Sequence, residues 1–264
     1  MFSLTPIVKN ILIINVVLWV IPAIFLSNDN LLVSLFGLRY YTSDYFSITQ
    51  FITYAVIHAG FSHLFSNMLG LMVFGPLLET TMGAKRFLIF YAVTAIGAGL
   101  IYSGIRMAEL HTFLASAQQF MTEPDPGSLI RLLSEFDTRL YEANLSFLDG
   151  YESNPQSPQY QQEALQLVRS VVDRSVNTPM VGASGAIFGI IMGFGYLYPN
   201  LRLMLLFPPI PVLARYVVAF YGFFALFSAI ERVPGDNVAH FAHLGGMLVG
   251  YLLIRFWKIR PLYY

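Results

Sequence analysis

A chain of 264 residues that is 56% hydrophobic and only 11% charged lies far from the balance of a soluble domain and points to a multi-span membrane protein. Its net charge is zero and its fifteen Lys and Arg residues are scattered, which leaves no basic stripe for nucleic acid. Without a single cysteine it has no disulfide, zinc–thiolate site or cysteine nucleophile, and no cofactor or metal is expected.

Crossing about 30 Å of hydrocarbon takes roughly 20 apolar residues. Such stretches occur near Val8 to Leu26, Phe61 to Leu78, Phe87 to Tyr102, Gly182 to Tyr198, Tyr216 to Ile230 and Val238 to Phe256. The first has one nearby lysine, no small-residue cleavage site before Asn28-Asp29-Asn30 and further spans after it, so it reads as a retained helix rather than a signal peptide. Leu31 to Tyr54, rich in Tyr and Phe with Arg39 and Asp44 interspersed, suits an interfacial loop. Between the third and fourth spans, Ser103 to Pro179 holds ten acidic residues, five arginines and no lysine. It reads as a solvated helical hairpin, with Leu129, Leu133, Phe136 and Leu140 at helical spacing, and with Ala164, Val168, Val171 and Val172 on one face of a stretch opened by Ser157-Pro158. The third span is expected to continue upward through Glu109 to Met121. Pro199 to Pro211 is apolar but proline-broken and reads as a link along the membrane surface.

With the N-terminus inside, the inner face collects Lys9, Lys85, Arg86, Arg202, Arg215, Arg255, Lys258 and Arg260, against Arg39, Arg106 and Arg232 outside. Both termini are therefore expected in the cytoplasm, and the 103–179 insert outside it. The even-numbered spans then run inward, with His63, Asn67, Ser184 and His243 near their N-terminal ends at one depth.

Polar side chains in lipid are costly and tend to face a bundle interior or watery cavity. Taken singly, a serine at a helix start is most often an N-cap, and Ser and His often bond a neighbouring helix. A nucleophile, a base and further donors at a common level point instead to a site. A serine hydroxyl needs a base to take its proton as it attacks a carbonyl; Ser184 and His243 supply that pair. Gly246-x-x-x-Gly250, preceded by Gly245, offers the small-residue face that lets the fourth and sixth helices approach. His63 and Asn67, four residues apart on one helix face, and the Ser184 amide at a helix N-terminus have the make-up of an oxyanion hole. His58 is expected to brace the loop entering the second span, and His240 to be structural or interfacial.

These residues resemble the motifs of the rhomboid family of intramembrane serine proteases. Gly182-Ala183-Ser184-Gly185 resembles its nucleophile motif, Ala242-His243-Leu244-Gly245-Gly246 with Gly250 its Ala-His-x-x-Gly-x-x-x-Gly, and His63-x-x-x-Asn67 its His-x-x-x-Asn. Gly75-x-x-x-Glu79-x-x-x-Gly83 resembles the family's turn after the second span. The resemblance implies an all-α, six-transmembrane-helix bundle formed by 1–102 and 180–264, with Ser184 as nucleophile, His243 as base, and His63, Asn67 and the Ser184 amide on the oxyanion. It implies membrane protein substrates cut near the outer face of the bilayer, and the host is expected to be a bacterial plasma membrane. Phe188 stands where several members carry a tyrosine that stacks on the histidine, and Tyr45 to Gln50 lacks the tryptophan often found there. The competing readings are an inactive rhomboid-like protein that binds membrane clients, and a transporter. The first usually lacks the serine or the histidine, and the second predicts paired carboxylates or broken helices at mid-membrane.

Overall fold

The computed structural model describes residues 4–25, 31–204, 209–231 and 239–262. Leu26, Asn28 to Asn30, Arg232 and Val238, which the sequence reading used for span ends and topology, lie outside them. The helices are α1 (Pro6–Phe25), α2 (Leu31–Phe36), α3 (Gln50–Thr53) with a 3-10 turn at Tyr54–Val56, α4 (Phe61–Met82) and α5 (Ala84–Thr122). They continue with α6 (Pro126–Phe136), α7 (Thr138–Ala143), α8 (Leu145–Ser153), α9 (Pro158–Asn177), α10 (Ser184–Leu197), α11 (Ala214–Glu231) and α12 (His240–Phe256). The chain divides into two compact units, one of Met1–Arg39, Tyr45–Ser103 and Pro179–Tyr264, the other of Tyr40–Asp44 and Gly104–Thr178.

In the first unit the helices alternate in direction. Gly83, with φ of +80°, turns α4 into α5. The buried carboxylate of Glu79, near the end of α4, accepts the backbone N–H groups of Ile7 (3.0 Å) and Val8 (2.9 Å) and the Thr5 hydroxyl (2.5 Å). An anion at a helix N-terminus satisfies amides that have no acceptor within their own helix, so the start of α1 is fixed to the end of α4. At the far end of α10, Ala214 N–H donates to Leu201 O (2.8 Å) and Leu262 N–H to Leu197 O (2.7 Å). The C-terminal ends of α10 and α12 therefore lie with the N-terminal end of α11.

α10 is the central element, packed against α4, α11 and α12. All of it is buried except Ser184, Phe188, Met192 and Tyr196, which recur every fourth residue and form one stripe. The outward faces of the surrounding helices are apolar instead: Ile13, Ile14, Val17 and Ile21 on α1, and Phe220, Phe223, Phe227 and Ile230 on α11, are exposed. Helices apolar on both faces suit lipid rather than water. α4 and α5 are long and apolar enough to cross a membrane by length and composition, while Pro6–Pro22, Ser184–Leu197 and Ala214–Ile230 are shorter apolar helices.

Two expectations need correction. Pro199 to Pro211 is not a plain link: its ends pair as an antiparallel ribbon, β1 (Arg202–Met204) with β2 (Pro211–Leu213), in which Met204 faces Pro211. Proline at a strand end gives up no ladder bond it would have needed. The insert is more than a hairpin, since α6 does not run on to Leu140. The Asp137 side chain accepts the N–H groups of Arg139 (3.1 Å) and Leu140 (3.2 Å), which stops one helix and caps the next. The second unit thus packs the distal part of α5 with α6 to α9 around Leu110, Phe113, Phe120, Leu129, Leu133, Leu148 and Val168. Asp125 caps α6 by accepting Ser128 N–H at 3.1 Å, with Pro126 in the first turn.

Candidate active site

The turn into α10 is held on three sides. Gly182 N–H donates to Tyr54 O at 2.9 Å, and Tyr54 is itself buried with its hydroxyl donating to Ala95 O at 2.6 Å. Gly182 adopts φ of +122°, which favours glycine, and a Cβ there would lie 2.5 Å from His63 Nε2. The His63 ring therefore rests on the backbone two residues before Ser184. Next in the chain, Ala183 N–H donates to His58 Nε2 at 3.4 Å. His58 thus braces the approach to α10 rather than only its own loop.

An imidazole nitrogen that accepts must be unprotonated, so His58 is neutral with its proton on Nδ1. Burial, with His63 nearby as a lesser cause, pushes the His58 pKa down to about 3. The two rings meet edge to face at 5.0 Å.

Ser184 is the first residue of α10 and half-buried; the cap position belongs to Ala183, which has no polar side chain. Serine as a simple N-cap, the commonest reason for one at a helix start, is therefore not its arrangement. Helical bonding begins with Ile187 N–H to Ala183 O at 3.0 Å, so the amides of Ser184, Gly185 and Ala186 have no acceptor inside the helix.

α12 comes closest to α10 at glycines. A Cβ on Gly246 would collide with the Gly185 carbonyl oxygen, and one on Gly250 would stand 3.0 Å from Gly189 Cα. Gly185 is hemmed in from the other side, where its Cβ would lie 2.6 Å from that of Ala98. Backbone-to-backbone approach carries the buried His243 to Phe188, one turn below Ser184. The rings stack at 4.1 Å between centroids and 5° between planes. Tyr221 of α11 meets Phe188 edge-on at 5.8 Å. His240, also buried, stands edge-on to His243 at 5.7 Å and to Phe224 at 6.4 Å.

Asn67 lies one turn down α4 from His63, buried, with Nδ2 donating to His63 O at 2.9 Å. One of its two N–H donors is thereby tied to its own helix, and the other remains for a partner. The N-terminal ends of α4, α10 and α12 so bring together His58, His63, Gly182, Ser184, Gly185, Phe188, His243 and Gly246, with Asn67 and Gly250 a turn deeper. Tyr54 and Glu79 have structural roles that the sequence reading did not assign. Tyr54 sits in an aromatic-rich stretch with no pattern to single it out, and the partners of Glu79 are more than seventy positions away.

The Rhomboid domain family model matches residues 45–116 and 164–258, more than half of the chain. The chain belongs to the rhomboid family. Both matched stretches carry the site: the first holds His58, His63 and Asn67, the second Ser184 and His243. Residues 117–163, between them, fall in the second compact unit. Among relatives, Rhomboid protein 1, mitochondrial, of Saccharomyces cerevisiae is 28% identical over 198 residues, 75% of this chain and 38% of the yeast protein. YdcA of Bacillus subtilis, which bears the name of a candidate rhomboid protease, is 35% identical over 103 residues, 37% of this chain and 47% of its own length. The chain thus aligns with less than half the length of either relative. Rhomboids are membrane-embedded, in keeping with the apolar outward faces of α1 and α11.

Proposed function

We propose that this rhomboid is an intramembrane serine endopeptidase that cuts membrane protein substrates near the outer face of the bilayer. Ser184 attacks the scissile carbonyl while His243 takes the hydroxyl proton, and His243 then returns it to the leaving amine. Water, activated by the same histidine, releases the acyl-enzyme. The Ser184 amide, His63 and the second N–H of Asn67 stabilise the oxyanion. The observation that carries this reading is the stacking of His243 on Phe188, one helical turn from Ser184, beside the close backbone approach of Gly246 to Gly185.

In the same proposal α1, α4, α5, α10, α11 and α12 are six spans of one rhomboid domain, 1–102 with 180–264, in a bacterial plasma membrane with both termini cytoplasmic. The alternation of helix directions and the basic residues at one set of helix ends support it. The acidic 103–179 insert joins the outer ends of the third and fourth spans and governs substrate access rather than chemistry.

The deciding experiment is fluorophosphonate labelling of the purified protein together with cleavage of a model membrane substrate. Label and cleavage should vanish in Ser184→Ala, cleavage should vanish in His243→Ala, and His240→Ala should retain substantial activity. Cleavage by Ser184→Ala would exclude the mechanism. A folded wild-type protein that neither labels nor cleaves, yet copurifies with membrane proteins, would favour the inactive client-binding reading.

A further inference from the structure

At the opposite end of the bundle from Ser184, a cavity of about 350 Å³ opens between α10, α11 and α12, lined by Met192, Gly195, Tyr196, Arg215, Val218 and Tyr251. Its walls are apolar except for Arg215 and the two tyrosine hydroxyls. Tyr196 and Tyr251 meet edge-on at 5.5 Å, and the Tyr196 hydroxyl accepts from Arg255 Nη1 at 3.3 Å. Arg215 lies over the Tyr216 ring at 5.0 Å, and its Nη1 donates to Asn200 Oδ1 at 3.4 Å. Arg215 thus lines the cavity and Arg255 is bonded to the hydroxyl of a lining tyrosine, each guanidinium meeting a neutral oxygen.

Among the described residues no carboxylate is bonded to them. In the described part of the first unit the acidic residues are Glu79, committed to the start of α1, and Glu231. Glu231 ends α11, whereas Arg215 is near its start, roughly 24 Å away along the helix at 1.5 Å per residue. An apolar crevice lined by Arg215, with Arg255 on the hydroxyl of its Tyr196, at the end of the bundle that carries the basic residues, has the chemistry of a phospholipid seat: guanidinium forks for phosphate, tyrosine hydroxyls for the headgroup region and apolar walls for a chain.

We propose that this cavity binds an anionic phospholipid of the cytoplasmic leaflet, with its phosphate on Arg215 and Arg255 and an acyl chain against Met192, Gly195 and Val218. The inference rests on the membrane orientation set out above but not on proteolytic activity. The occupant is a lipid rather than free phosphate because the larger part of the cavity wall is apolar.

The test uses the full chain in nanodiscs of phosphatidylcholine with or without phosphatidylglycerol, followed by native mass spectrometry of the released protein and by melting. Phosphatidylglycerol should be retained on the wild-type protein and raise Tm by about 4 °C. The Arg215→Gln/Arg255→Gln pair should lower retention about tenfold or more. The Arg202→Gln/Arg260→Gln pair, which removes the same charge from the same end without touching the cavity wall, should leave it within about twofold. Fluorophosphonate reactivity of Ser184, or a cooperative melt, reports that each variant is folded; should the first pair misfold, the single variants Arg215→Gln and Arg255→Gln carry the comparison. Equal losses in the two pairs, equal retention of the two lipids, or full displacement by soluble glycerol phosphate would each overturn the proposal.

Discussion

Phe188 and His243 lie flat against one another, 4.1 Å apart and 5° from parallel, although they come from different helices. The stack fixes the imidazole plane relative to α10. Phe188→Ala should therefore lower turnover with little change in apparent substrate affinity. An aromatic pair is worth about 0.5–1.5 kcal/mol, or roughly two- to tenfold in rate. Phe188→Tyr should keep most activity. Steady-state kinetics on a membrane substrate check both, and an unaltered kcat in a folded Phe188→Ala protein would show that the ring does not orient the histidine.

Gly246→Leu should push α10 and α12 apart, because even a Cβ at this position meets the Gly185 carbonyl. Overpacking of this sort costs about 1–3 kcal/mol. Tm and activity should fall together, while Gly60→Ala, where a Cβ meets nothing within 4 Å, serves as the silent control. Full activity in Gly246→Leu would contradict the contact.

Asn67→Ala separates two roles. Losing an oxyanion donor costs on the order of 3 kcal/mol, about a hundredfold in turnover. Losing only the bond to the His63 carbonyl costs about 1 kcal/mol of stability. A large fall in kcat with a small change in Tm is expected, and the converse would leave Asn67 a purely structural residue.

His58 gives a pH signature. With its folded pKa pushed below the ordinary 6.5 to about 3, the neutral imidazole contributes stability that is complete above pH 6.5. That stability drains away as pH falls from 6.5 toward 3, where the charged ring loses its bond from the Ala183 amide. His58→Gln keeps an acceptor for that amide but cannot titrate. Its Tm should decline less steeply across this window, and identical slopes for the two proteins would remove His58 as the source.

Much of this was legible in the sequence because each helix of the first unit is a run of apolar residues. α4 and α11, for example, begin within two residues of their expected starts. Ser184, His243, His63 and Asn67 stood out as polar residues in apolar surroundings. What escaped notice depends on long-range partners. Glu79 stands out only as part of the turn from Gly75 to Gly83, its bonds to the start of α1 being out of reach of local spacing, and the ribbon at Arg202 and Pro211 hides because its prolines suggest only a broken link. Asp137 was missed for a local reason: the apolar spacing from Leu129 to Leu140 continues straight across the residue that breaks it.

The short central helix bears on how the bilayer acts on this rhomboid. α10 has fourteen residues, about 21 Å of rise, against about 30 Å of hydrocarbon. Nearly all its surface is taken up by neighbouring helices, so it has no need to match the thickness of the lipid. A bilayer that thickens or thins would act on the rim, where Ile13, Val17, Phe223 and Phe227 are exposed. The position of Ser184 is set by glycine contacts and by the His58 and Tyr54 bonds instead, so this serine should hold its level in membranes that tilt the helices around it.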